Sequence, residues 1–179
     1  MNFNTLKRSK QWDKFSHLFK QEEISAKTIL LTEGQISKKV YFIEKGCLRL
    51  CFNHNGKDLT FQFFFEGEIV SSIESFRTKQ PSLFNLESIE PCIIHSISEK
   101  NFQFIVDSST EIKKAIDEQI FQRLLFYQQL FLSRIRDNPE KRYKELLKQY
   151  PKILLRVPQH YIASYLGITS VSLSRIRNR

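Results

Sequence analysis

Apolar residues recur at two different periods along the 179 residues. Between about 28 and 98 they come in short runs that suit strands: TILL (28–31), VYFIE (40–44), CLRLCFNH (47–54), DLTFQFFF (58–65), LFNLESI (83–89) and CIIHSI (92–97). Breakers stand between them, at Glu33-Gly34, Lys45-Gly46, Asn55-Gly56, Glu66-Gly67 and Pro91. Asn-Gly between two apolar runs marks a two-residue hairpin, because both residues tolerate positive φ. Many short strands at regular intervals predict a closed or two-sheet β domain.

The other period is helical. Residues 5–20 place Leu6, Trp12, Phe15, Leu18 and Phe19 on one side of an amphipathic helix. A short helix is expected over 99–106. Ser108 with Glu111 three residues on then forms a capping box. From there a helix runs to about 136, with Ile112, Ile116, Ile120, Leu124, Tyr127, Phe131 and Ile135 three or four residues apart. A helix of roughly 28 residues is about 40 Å long. That exceeds what a small β domain needs, so this stripe is expected to pack on its copy in a homodimer. Asp137-Asn138-Pro139 ends the helix, since proline disfavours helix in the residue before it. A further helix over 139–150 carries Tyr143, Leu146 and Leu147, and Pro151 closes it. The expected units are 1–107, a β effector domain; 108–137, a long dimerisation helix; and 138–179. The fold class is α+β.

Residues 158–179, PQHYIASYLGITSVSLSRIRNR, read as a helix-turn-helix. Pro158 suits a first helical position. Ile162, Ala163 and Leu166 share one face, and small Ala163 suits the closest approach of two steeply crossing helices. Gly167 can stop the first helix by taking φ above zero, and Ile168 plugs the turn. Thr169 or Ser170 can cap a second helix, which buries Leu173 and Ile176. At about 100° per residue, Val171, Ser174, Arg175 and Asn178 then face outward, into a major groove. Arg175 is the candidate base reader, because a guanidinium can bond guanine O6 and N7 together. Ser170, Ser172, Arg177 and Arg179 suit phosphate contacts, which position without reading sequence.

Charge supports this placement. The chain is +9 overall. Residues 134–179 hold 11 Lys+Arg against 3 Asp+Glu, a balance of +8, and the preceding 133 residues hold 17 against 16. A basic surface is what double-stranded DNA requires. No apolar run approaches the roughly 20 residues of a membrane span, and the N-terminus lacks a signal-peptide apolar region. A cytoplasmic protein without a membrane partner is expected. Cys47 and Cys51 lie on one strand about 13 Å apart at Cα, too far for a disulfide or a shared metal, and Cys92 stands apart. The four histidines, His17, His54, His95 and His160, occupy separate elements, so no metal site, cofactor or enzyme activity is expected.

A β domain, one long helix and a C-terminal helix-turn-helix resemble the cyclic-AMP receptor and fumarate–nitrate regulator family of bacterial transcription factors. The resemblance is carried by GQISKKVYFIEKGCLRL and YIASYLGITSVSLSRIR, and is nearest to short members common in Bacteroidetes. It implies a jelly-roll effector domain of the cyclic-nucleotide-binding kind, a dimerising helix, a two-fold DNA site and contact with RNA polymerase. The family's cyclic-nucleotide cassette would fall on EGEIVSSIESFRTKQPSLFNLES. There the ribose-binding Gly-Glu aligns with Ser71-Ser72, and the phosphate-binding Arg-Ser with Ser82-Leu83. Ser71, Ser72, Arg77 and Ser82 thus mark the candidate effector pocket. Its ligand is an unknown small molecule or none, and cyclic AMP is not expected. The wing that usually follows the recognition helix is not expected in a chain ending at Arg179. The competing reading is a ligand sensor or interaction module whose helix-turn-helix does not bind DNA.

Overall fold

In the computed structural model, residues 6–7 and 10–178 are described. A short helix, α1 (Lys10–Phe15), and a 3-10 turn (Ser16–Leu18) precede eight strands: β1 (Lys20–Ile24), β2 (Ile29–Leu31), β3 (Lys39–Lys45), β4 (Leu48–His54), β5 (Lys57–Phe64), β6 (Ile69–Val70), β7 (Asn85–Ser88) and β8 (Cys92–Ser98). Helix α2 (Ile73–Thr78) lies between β6 and β7. After β8 come α3 (Glu99–Ser108), α4 (Thr110–Arg136), α5 (Pro139–Gln149), α6 (Ile153–Arg156), α7 (Gln159–Leu166) and α8 (Ser170–Arg177).

The strands form two four-stranded antiparallel sheets, ordered β1-β8-β3-β6 and β2-β7-β4-β5. Tyr41, Ile43, Leu48, Leu50, Phe64 and Ile94 fill the space between them. The first sheet is also covered outside, where Val40, Phe42 and Ile97 meet Phe15, Ile105 and Ile112. Burial on both faces explains why VYFI in β3 is a continuous apolar run instead of an alternating one. The second sheet is covered outside by the C-terminal helices, with Phe63 and Cys47 sharing a core with Tyr143, Leu146, Ile162, Tyr165 and Leu173.

The Asn55-Gly56 hairpin forms as expected, with φ of 53° and 75° and His54 opposite Lys57. Several elements differ from the sequence expectation, α6 among them, since no periodicity marks a helix over Ile153–Arg156. β1 occupies KQEEI, of which only Lys20 fell within the expected helix; it is a sheet-edge strand with Lys20, Gln21 and Glu23 exposed and Glu22 accepting from Ser96 at 2.8 Å. β6 is two residues long, below what periodicity resolves. α2 arises within polar SSIESFRTKQ. The start of the expected 5–20 helix lies mostly outside the described residues.

The cap of α4 is Ser109, not Ser108; its side chain accepts from the Ile112 N–H at 3.3 Å, while Ser108 ends α3. Asn138 caps α5, accepting from the Lys141 N–H at 2.9 Å, with Pro139 first in the helix. Pro158 precedes α7 instead of starting it.

The long helix divides its apolar residues by angle. Relative to Ile112, at about 100° per residue, Ile116 and Tyr127 lie within about 60°, whereas Ile120, Phe131, Leu124 and Ile135 lie at about 80–140°. The first set faces the chain's own β domain: Ile112 is buried, Ile116 packs beside it, and the Tyr127 hydroxyl donates to Gln62 at 2.7 Å. The second set is open, with Leu124 61%, Phe131 67% and Ile135 71% exposed. A four-residue spacing drifts around a 3.6-residue helix, so one sequence stripe serves two surfaces. Of the expected dimer residues, Ile112, Ile116 and Tyr127 are therefore taken up within the chain.

Arg156, at the end of α6, ties the C-terminal helices to the β domain. Its Nη1 donates to Glu66 at 2.9 Å and its Nε to Glu90 at 3.0 Å. Burial pushes the Glu66 carboxyl up, but Arg156 and the Gly46 N–H outweigh it and hold it below its ordinary 4.5. A depressed carboxyl contributes stability above its unfolded value and loses it as pH falls through the folded one. Thermal melting should therefore fall more steeply below pH 4.5 in the native chain than in Glu66→Gln. Parallel acid profiles would refute this role.

Candidate nucleic-acid interface

α7 and α8 cross over a short core in which Ile162, Ala163, Leu166 and Leu173 are buried and Ile168 and Ile176 partly so. Gly167 takes φ 68°, which a left-handed turn needs, and the Ile168 N–H reaches back to the Ala163 carbonyl at 3.0 Å. The Thr169 hydroxyl accepts from the Ser172 N–H at 3.1 Å and caps α8. Leu173 is thereby fixed inward, and the residues around it are fixed outward.

The surface of α8 follows. Ser170, Val171, Ser174, Arg175, Arg177 and Asn178 are exposed. Ser172 is partly buried, and its hydroxyl lies 3.0 Å from that of Thr169, so it belongs as much to the cap as to any outside contact. Arg179 lies outside the described residues. Six of the eight candidate residues are thus exposed, with Ser170 and Arg177 within about 60° of Leu173 around the helix. Val171, Ser174, Arg175 and Asn178 share the side opposite Leu173.

The candidate effector residues do not converge on one cavity. Ser72 and Ser82 are buried, and the Ser82 hydroxyl donates to Ser72 at 2.8 Å. The Ser71 hydroxyl meets that of Ser37 and the Lys39 carbonyl, both at 3.1 Å. Arg77 is exposed on α2, and with Ser71 it lines a separate groove of about 490 Å³ against α3 and α4. Phe84, two residues after Ser82, stacks on Phe61 with ring centroids 4.7 Å apart, and Phe61 meets Tyr127 of α4 at 5.5 Å. Bulky rings thus join the β domain to the long helix there. Among the described residues no group of three or more His, Cys, Asp and Glu could hold a metal ion. No described helix is long and apolar enough to cross a membrane.

Sequence reasoning missed how α7 seats on the second sheet. The Thr60 N–H donates to Ser164 at 2.8 Å. Phe63 lies 5.3 Å from Tyr165. The Arg49 guanidinium sits 3.7 Å above the Tyr161 ring while its donors serve Asp58, Glu87 and Thr60. A buried-arginine signal was present, because Arg49 alone interrupts the apolar start of β4.

Residues 21–109 match the family model of the cyclic nucleotide-binding domain. No curated protein matches the chain. Among solved structures, a mutant of CooA from Carboxydothermus hydrogenoformans superposes with a TM-score of 0.79 at 19% identity, over 99% of this chain and 83% of that one. The c-di-GMP responsive global regulator CLP of Xanthomonas campestris gives 0.76 at 17%, over 94% and 89%. FixK2 of Bradyrhizobium japonicum gives 0.78 at 14%, over 89% and 83%. These neighbours are regulators of the cyclic-AMP receptor and fumarate–nitrate regulator family, and at such identities the likeness is one of fold.

Proposed function

We propose that this chain is a dimeric DNA-binding transcription regulator of the cytoplasm. In this reading residues 1–107 are a sensor, 108–137 the dimerisation helix and 138–179 the DNA-binding unit, with α8 entering the major groove as a recognition helix. The observation that carries the reading is the outward face of α8, where Val171, Ser174 and Arg175 stand exposed over a fully buried Leu173. That face lies in the segment holding most of the chain's net positive charge. The Bacteroidetes-like kinship, RNA polymerase as partner and a small-molecule effector belong to the same proposal. Cyclic AMP is not the effector in this reading, because hydroxyls stand where the ribose and phosphate partners would be, and they bond each other.

Selection of genomic fragments on the full chain tests the reading. Enrichment of a two-fold-related sequence, with affinity falling steeply as salt rises, is expected. Enrichment of nothing would favour the sensor or interaction module, a reading to which the seating of α7 on the second sheet also lends itself. On the selected site, Arg175→Ala should cost about 1–3 kcal/mol and relax specificity at one base pair. An equal loss on random DNA would reduce Arg175 to a phosphate contact.

A further inference from the structure

The carbonyls at the end of α7 have no partners within that helix. Two arginines from other helices supply them. Arg134, on the last turn of α4, donates its Nη2 to the Tyr165 carbonyl, and its guanidinium lies 5.9 Å from the Tyr165 ring. Arg142, on the first turns of α5, donates its Nη2 to the Leu166 carbonyl at 3.1 Å and its Nη1 to the Asp137 carbonyl at 2.5 Å. Tyr165 and Leu166 are the residues directly before the Gly167 turn that launches α8. A Cβ at Gly167 would meet only Arg134 Nη1, the free end of a flexible side chain, so the φ of 68° is what calls for glycine there.

The arrangement carries costs that simple solvated arginines avoid. Arg134 is exposed as a whole residue, yet desolvation of its guanidinium, and then the neighbouring Arg142 guanidinium, lower its pKa from the ordinary value. Arg142 Nε is buried with no partner, which costs free energy. In return, charge-assisted bonds hold the C-terminal end of α7, where the helix dipole also favours cations. The clamp joins three things in space: the end of the long helix, the Asp137 break and the root of α8. Around α4 it lies about 60° from Phe131 and about 100° from Ile135.

We propose that Arg134 and Arg142 are positioning residues that fix α8 relative to the long helix, and through it the separation of the two half-sites that a dimer reads. This rests on the DNA-binding reading above. Two recognition helices must reach grooves about 34–36 Å apart, so play at the root of α8 becomes tolerance of spacing.

Two measurements test it. The first needs no DNA. Spin labels on Gln122→Cys and Ser174→Cys, in labelled chain diluted with unlabelled, report the distance from α4 to α8; both sites are exposed, Gln122 lies away from the open apolar arc of α4, and native Cys47, Cys51 and Cys92 are buried. A narrow distribution is expected in the native background and a broad one in Arg134→Gln and Arg142→Gln, with the melting transition still cooperative. A native distribution already as broad as the variants', or variants as narrow as native, would overturn the clamp whatever the DNA result. The second is binding to selected half-sites across a spacer series. The native chain should prefer one spacing by about tenfold over neighbours, and the variants should flatten that preference with base preferences unchanged. An equal loss at every spacing would mean a structural role only and would overturn the proposal. DNA binding that fails altogether beside a narrow native distance would sink the regulator reading and with it the spacing role.

Discussion

Arg49→Ala is expected to lower the unfolding free energy by about 3–5 kcal/mol, because removing one partner of a buried ion pair strands the other. Arg49 is 2% exposed. Its Nε donates to Glu87 at 2.9 Å, and its two terminal nitrogens reach Asp58 at 2.9 and 2.6 Å. Asp58 is about half exposed and can turn to water, but Glu87 is 15% exposed and cannot. The loss should also reach α7, whose Tyr161 ring rests on the guanidinium at 3.7 Å, a contact of about 0.5–2 kcal/mol. Urea denaturation checks the magnitude. Replacing the pair together, as Arg49→Met with Glu87→Leu, should recover most of the loss, since an apolar pair of similar volume leaves no charge stranded. A double variant as unstable as the single one would place the cost in packing instead.

In the dimer proposed above, Leu124→Glu is expected to give monomers in sedimentation and to weaken binding to a two-fold DNA site by about 10²–10⁴-fold, the usual worth of joining two binding modules. Leu124 is 61% exposed and lies within an open arc with Ile120, Phe121, Phe131, Leu132 and Ile135, all roughly half exposed or more. A soluble chain seldom leaves so long an apolar strip uncovered. The folded chain itself should tolerate the substitution, as the side chain contributes little to its own core. Ile112→Glu is the contrasting variant: that residue is buried against Phe42 and Ile105, so it should unfold the chain. A dimer persisting in Leu124→Glu would move the interface elsewhere.

Much of the architecture could be read from local chemistry. Asn55-Gly56, Gly167 and the Asn138-Pro139 pair each fix the backbone at one point, and each does so where expected. Local signals failed where two residues compete, as with Ser108 and Ser109, or where a strand at a sheet edge keeps polar side chains, as in Lys20–Ile24. The candidate DNA face could be proposed from the sequence because its outward residues lie across the helix from Leu173. Partners distant in sequence left no such mark. Ser164 meets Thr60 across 104 residues, and Arg134 meets Tyr165 across 31. The apolar spacing of the long helix gave one stripe; only the drift of that stripe against the β domain divides Tyr127 from Leu124.

The hydroxyl pair of Ser72 and Ser82 sets a limit on redesign. Ser82 is 2% exposed, donates to Ser72 and accepts from the Phe84 N–H at 3.1 Å, directly beside the stacked Phe61 and Phe84 rings. Placing an arginine at this position would not by itself create a phosphate receptor. The longer side chain would arrive in filled space and force its neighbours apart, as overpacking does. A nucleotide-responsive version would have to be hollowed before it is charged, with Phe84 reduced first.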